Sequence, residues 1–241
     1  MFKSGYLLRS LKPGSGVLKI LRYAIGEIAL VVCGILVAVS LNNWNESLKE
    51  QQAVENSLEI VLEELKSDTA SLNNILAVYA RKEKRFNHIL FDSLLSDSLP
   101  CPGCRLITNF RLFKVSQRGY YRLMEYNDLD YVKSDTVISQ LLEFYSVIDR
   151  TLPLIRSSIE DDIFDVLKHW RDNYEWFYTI QTGNPNQEYY DYIKTSNDYK
   201  NRVAYQYIMI YQNYIPFLSN IRLNAIEFID LLEQRKREKD E

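Results

Sequence analysis

Two hydrophobic patterns divide the chain. From Tyr23 to Leu41 it reads YAIGEIALVVCGILVAVSL, nineteen residues whose one charge is Glu27. As a helix this run spans about 28 Å, close to the hydrocarbon thickness of a bilayer, and it predicts a transmembrane helix. Beyond it the apolar residues recur by fours and threes. Leu58, Leu62, Leu65, Thr69, Leu72, Leu76, Tyr79, Glu83, Phe86 and Leu90 keep a heptad spacing that predicts one long helix packed along a stripe. Thr69 and Glu83 interrupt the stripe, which favours a bundle within one chain over an independent zipper.

The same reading carries on to the C-terminus. Pro100, Pro102 and Gly103 predict a loop over 96–109. A short helix is expected around Gln117 to Tyr126, and Asp135 or Ser134 as the cap of a helix starting near Thr136. Val137, Ile138, Leu141, Leu142, Tyr145 and Ile148 are its apolar set. Pro153 marks a kink or boundary, followed by a helix from Leu154 to Thr179 with Ile155, Ile159, Ile163, Val166, Leu167, Trp170 and Phe177 inward. Gly183-Asn184-Pro185-Asn186 is a turn. A tyrosine-dense helical region follows, with a bend at Pro216, then an apolar pattern from Leu218 to Leu231. Arg235 to Glu241 is expected to be solvated and frayed. The fold class is all-α: one transmembrane helix, then an external bundle of about four long helices. The divisions are 1–22, a basic cytoplasmic segment; 23–43, the membrane helix; and 44–241, the external helical domain.

Charge sets the orientation. Lys3, Arg9, Lys12, Lys19 and Arg22 precede the apolar run with no acid among them, so a chain of net charge −3 carries −8 after them. The positive-inside bias holds such an N-terminus in the cytoplasm of a bacterial inner membrane, with the main domain outside. A cleaved signal peptide is the competing reading. It requires a shorter core and a small-x-small cleavage site, whereas Asn42-Asn43-Trp44-Asn45-Glu46 follows here. Glu27 lies one turn from Tyr23. It reaches interfacial water, pairs with Lys19 or Arg22, or couples ions or protons. Gly34 and Ala38 form a small-x-x-x-small pair suited to contact with another membrane helix.

The stretch Lys19 to Ser47, with Tyr23, Ile25-Gly26-Glu27, Gly34-Ile35-Leu36 and Asn42-Asn43-Trp44-Asn45, resembles the start of the DUF6090 group, a family of bacterial membrane proteins common in Bacteroidetes. A second likeness runs from Phe110 to Tyr145, where Asn127-Asp128 replaces the glycine turn of relatives. The resemblance implies an envelope protein with an anchor and a mostly helical external region, periplasmic in a Gram-negative cell. It implies no activity.

Candidate chemistry is sparse. Cys101-Pro102-Gly103-Cys104 is read first as a structural disulfide in an oxidising space, with metal-bound thiols or redox catalysis as alternatives. Asp162, Asp165 and His169 share a helical face and are a candidate metal set; the competing reading is a charge pair on a solvated face. No pattern calls for a cofactor. Ten of the 18 tyrosines lie from Tyr174 to Tyr214. Tyr199, Tyr205, Tyr207, Tyr211 and Tyr214 are the candidate interaction surface, against the alternative that they fill a core and its rim. The negative external charge argues against nucleic acid. The expected partners are membrane lipid and either further copies of the chain or another envelope protein. The expected role is non-enzymatic, through structure or interaction; a ligand-sensing module and a metal or redox enzyme are the alternatives.

Overall fold

The computed structural model describes residues 15–91 and 105–240, so the Cys101/Cys104 expectation lies outside the described residues. The described chain is helical between its connections and contains no strand. The helices are α1 (Ser15–Phe91), α2 (Arg118–Met124), α3 (Asp130–Ser134), α4 (Thr136–Asn173), α5 (Phe177–Gln181), α6 (Gln187–Thr195), α7 (Asn197–Tyr207) and α8 (Ile215–Asp240). A π-helical stretch, Ile208–Tyr214, joins the last two. The chain divides into two compact units, Met1–Ala53 and Val54–Glu241.

In the first unit the apolar run of α1 is uncovered among the described residues. No residue of its most apolar 18-residue window is buried, and Leu30 is 75 % exposed. One helix among the described residues is thus long and apolar enough to cross a membrane, and the large side chains of its apolar run are exposed.

The second unit is built on three long rods: α1 from Val54, α4, and α7 through α8. Their apolar faces form three layers. Val54, Leu58 and Leu65 meet Leu141, Tyr145, Phe228 and Leu232. Leu72 and Tyr79 meet Ile148, Ile159, Tyr214 and Leu218. Phe86 and Ile89 meet Val166, Trp170, Tyr199 and Val203. The order of these pairings makes α4 run parallel to α1 and the third rod antiparallel to both.

The seam of α1 lies one residue from the expected stripe at four of its ten positions. Val54, Leu58, Val61, Leu62, Leu65, Asp68, Leu72, Ile75, Tyr79, Phe86 and Ile89 are buried, whereas Thr69, Leu76, Glu83 and Leu90 are half-buried flanks. Two members of the true seam, Asp68 and the partly buried Lys82, are charged, which hides the repeat from a hydrophobic count.

Both charges serve the non-helical segment 105–117, which returns antiparallel along α1. A segment packed against helices has no ladder partner, so its buried N–H and C=O groups need side chains. Asp68 accepts from Ser116 N at 2.8 Å and from Ser116 Oγ at 2.9 Å. Glu64 accepts from Gly119 N at 2.9 Å and Arg118 N at 3.2 Å. The Tyr79 hydroxyl donates to Arg111 O at 3.0 Å and accepts from Arg111 N at 3.1 Å. The Tyr214 hydroxyl accepts from Phe113 N at 2.6 Å. Lys82 donates to Asn109 O while its ammonium lies 4.9 Å from the Phe110 ring centre. Burial, with the cations of Arg85 and Arg111, pulls its pKa down to about 8. Where the segment enters α2, a Cβ on Gly119 would lie 2.7 Å from Val61 N. Only a glycine lets α2 approach the α1 backbone so closely.

The third rod keeps its face inward through a one-residue insertion. Val203, Gln206 and Ile210 are buried at spacings of three and four; Tyr214, Leu218, Ile221, Ala225, Phe228 and Leu232 continue the seam one residue out of phase. The π-helical stretch absorbs the shift, with Ile215 N bonded to Ile210 O. Pro216 has no N–H for the carbonyl of residue 212 and its ring crowds that carbonyl. A wider i,i+5 turn relieves both.

Three local expectations need correction. Pro153 lies inside α4 rather than ending a helix, on the exposed side where the freed carbonyl meets water. The helix stops at Asn173, not Thr179, because Asn173 Nδ2 donates to His169 O at 2.8 Å and the backbone turns extended at Tyr174. The basic C-terminal stretch is not frayed: α8 runs to Asp240. Arg235 bridges Glu55 at 2.7 Å and Asp135, Lys239 reaches Glu55 at 2.6 Å, and Lys236 reaches Glu59 at 2.9 Å. Asp135 is the expected N-cap of α4, accepting from Ile138 N at 3.0 Å. One guanidinium therefore ties α8 to α1 and to the start of α4. Burial works to raise Glu55 and Asp135, but the bonds from Arg235 and, at Glu55, Lys239 outweigh it and hold both below the ordinary carboxylate values.

Two predictions follow from these contacts. Tyr214→Phe strands the Phe113 N–H in the core and should lower unfolding stability in urea by about 1–3 kcal/mol. The lowered pKa values of Glu55 and Asp135 give stability that is present above their ordinary values of 4.5 and 3.8. It is lost as pH falls through the still lower folded values. Arg235→Gln should therefore destabilise the fold at pH 7 and shrink its loss of stability on acidification, read as urea midpoints from pH 7 to pH 3. The comparison with wild type isolates the clamp, because buried Asp68, whose pKa is raised, contributes with the opposite sign.

Candidate functional site

The layer around Phe86 and Trp170 is the most aromatic part of the molecule. Trp170 meets Trp176 edge-on at 5.6 Å, Trp176 lies 4.9 Å from Tyr189, and Tyr174 lies 4.7 Å from Tyr192, all between ring centres. Local chain signals bring these rings together. Asn186 caps α6 by accepting from Tyr189 N, and Ser196 caps α7 by accepting from Tyr199 N. Gly183 supplies the positive φ of +81° at the turn before α6. The caps start two short helices in quick succession and turn Tyr189, Tyr192 and Tyr199 against α4.

The indole N–H of Trp170 donates to the Tyr192 hydroxyl at 2.9 Å, which donates to Asp198 Oδ2 at 2.7 Å. Asp198 also lies 3.1 Å from His169 Nε2 and accepts from Arg202 Nε at 3.2 Å. Arg202 reaches on to Asp165 at 3.0 Å. Gln206, 1 % exposed, donates to Asp162 at 2.6 Å and to Ile107 O at 2.8 Å. Burial works to raise Asp198, yet the bond from Tyr192 and the charges of Arg202 and His169 hold it below its ordinary value. Burial and the neighbouring Asp198 push the Tyr192 hydroxyl far up, so it stays protonated as a donor.

This network settles how Asp162, Asp165 and His169 are used. They lie on one stretch of α4 as expected, but each turns to a different partner: Gln206, Arg202 and Asp198. Among the described residues no group of three His, Cys, Asp or Glu is placed to hold a metal ion. The candidate metal set is a cross-link between α4 and α7.

Beside the network lies a cavity of about 730 Å³. Trp170 and Tyr189 form its buried side, while Arg105, Thr108, Asn109, Gln181 and Tyr190 supply polar groups. No carboxylate is among the described residues that line it. Arg105 adopts φ +57°, the left-handed region that side-chain-bearing residues rarely enter. Burial raises the Tyr189 hydroxyl to about 12, against a backbone hydrogen bond from Arg105 that works to lower it. The carbonyl of Arg105 accepts from Asn109 N at 3.1 Å. Sequence reasoning missed this cavity, since its residues come from four separated stretches. The available signal was the pairing of Gly183 and Pro185 with Tyr189-Tyr190.

The candidate tyrosines divide by burial. Tyr199 and Tyr214 are fully buried in the chain's own core. Tyr207 and Tyr211 are half-buried and lie 5.0 Å apart, with Tyr211 against Phe86 at 5.4 Å. Tyr205 is 55 % exposed. It borders a groove of about 590 Å³ between α4 and the third rod, with Ile155, Met209 and Phe217. A second groove of about 370 Å³ continues past Phe217 to Phe144, Val147 and Leu231. On the first unit, Glu27, Gly34 and Ala38 are exposed, and a Cβ on Gly34 would meet nothing within 4 Å. Cys33 is a free, exposed cysteine on the same helix.

Residues 27–99 match the model of DUF6090, a family of unknown function. The likeness carried by the N-terminal motif is therefore shown from Glu27 onward, over most of the apolar run and the rest of α1. The match stops short of the 105–117 segment and of the cavity. No curated protein and no solved structure matches the chain.

Proposed function

We propose that the protein is a membrane-anchored interaction component of the bacterial envelope, with its N-terminus cytoplasmic and its bundle periplasmic, acting by binding rather than by a covalent step. The observation that carries this reading is the apolar run of α1. It exposes every large side chain, and five cations without an acid precede it. Water around such a helix is costly, and lipid or a second membrane helix at Gly34 and Ala38 removes that cost. The bundle offers a complementary surface. The grooves share Phe217 and form a furrow on α4 and the third rod in which Phe144, Val147, Met209 and Phe217 alternate with polar groups such as Glu143 and Gln212, suited to an amphipathic helix from a second copy or from another envelope protein.

A second reading, a ligand-binding module that signals through a partner, is favoured by one observation: the aromatic cavity beside Arg105.

An alkaline phosphatase fused after Glu241 should be active in cells, and the fusion should stay in the membrane fraction after carbonate washing. Release by carbonate or an inactive fusion overturns the placement. The complex extracted in mild detergent should exceed the mass of one 28.4 kDa chain. Val147→Asp with Tyr205→Asp should reduce it toward one chain while leaving the helical circular dichroism unchanged. A wild-type monomer without a partner overturns the interaction role.

A further inference from the structure

We infer that the cavity beside Arg105 is a binding site for a single sugar ring bearing a carboxylate. The inference rests on the second reading above. Its volume of about 730 Å³ lies within the range of small-molecule sites and exceeds that of one pyranose ring. Its lining selects the chemistry. Arg105 supplies one guanidinium, the group best matched to a carboxylate by two parallel hydrogen bonds. Among the described lining residues no acid competes for it. Thr108, Asn109 and Gln181 present neutral donors and acceptors of the kind hydroxyl groups need. Half-buried Tyr190 and Pro185 offer flat apolar surfaces for the C–H face of a ring. Purely aromatic acids would leave the hydroxyl-matching groups unpaired, and a neutral sugar would leave the guanidinium without its anion.

The backbone of Arg105 is the second, independent observation. A glycine would take φ +57° without steric cost, yet an arginine stands there. Its N–H is fixed by Tyr189 and its carbonyl by Thr108 and Asn109. The surroundings over-determine an unfavourable conformation, as is found where a side chain must be presented to a ligand. Tyr189 and Trp170 thereby join the aromatic layer to the placement of the charged group.

The test uses the full-length protein in detergent, with glucuronate, glucose and benzoate as separate probes. Trp170, in the cavity wall, and Trp176 beside it report through intrinsic fluorescence; Trp44→Phe removes the remaining tryptophan. Glucuronate should give a saturable change, with glucose and benzoate binding at least about ten-fold more weakly. Arg105→Gln should weaken glucuronate at least about ten-fold and leave glucose unchanged. Arg105→Gly should lose the same affinity while melting no lower than wild type, because glycine relieves the backbone. This separates lost recognition from lost folding. No saturable response to glucuronate up to about 10 mM, or equal affinity in Arg105→Gln, overturns the inference. Preferential binding of benzoate also overturns it, while leaving a ligand-binding module intact.

Discussion

The bundle depends on satisfying the backbone of a segment that is neither helix nor strand. Residues 105–117 pack among three helical rods, where every peptide group shielded from water needs a partner. The chain meets that need with side chains set at core positions: Asp68 for Ser116, Tyr79 for Arg111, Tyr214 for Phe113 and Gln206 for Ile107. An apolar residue at any of these sites would fit the helix seam better and leave the segment unsatisfied. The hydrophobic repeat is broken at Asp68 and Lys82 for this reason.

The same constraint accounts for much of the tyrosine. Phenylalanine fills a core equally well but cannot bond a carbonyl or an amide. Tyr79 and Tyr214 each bury a ring and place a hydroxyl on main chain, and half-buried Tyr211 donates to Tyr79 O at 3.0 Å. Tyr214 reaches its partner because the π-helical stretch advances the seam of the third rod by one residue. Pro216, the wide turn, the buried tyrosine and the returning segment form one connected arrangement. Farther along, Tyr189 and Tyr192 extend this use of the hydroxyl to Arg105 and Asp198.

The two units treat their apolar side chains differently. In Val54–Glu241 the apolar side chains face one another, and the charges close the ends of the rods, as Arg235 does with Glu55 and Asp135. In the apolar run of α1 the large side chains face outward on all sides, which is the pattern of a helix whose solvent is hydrocarbon. One helix, α1, carries both patterns along its length.

The sequence by itself determined the elements whose causes are local. The apolar run, the long helical repeats, the Asp135 cap and the Gly183 turn follow from composition and spacing within a few residues, and so does the family likeness of the N-terminal stretch. It also placed the buried stripe on the right helix, though displaced by one residue at Thr69, Leu76, Glu83 and Leu90. Only the tertiary structure decided where the polar residues act. His169 and Asp165 sit together on α4, yet their partners Asp198 and Arg202 are 29 and 37 residues away in the chain. Arg235 looks like part of a solvated tail until α8 is laid beside Glu55. The cavity is assembled from the turn at Arg105, α4, the end of α5 and the start of α6, and no single stretch encodes its shape. Hydrophobic spacing records burial along one helix. Hydrogen bonds and ion pairs between helices depend on which faces meet, and that is fixed only when the rods pack.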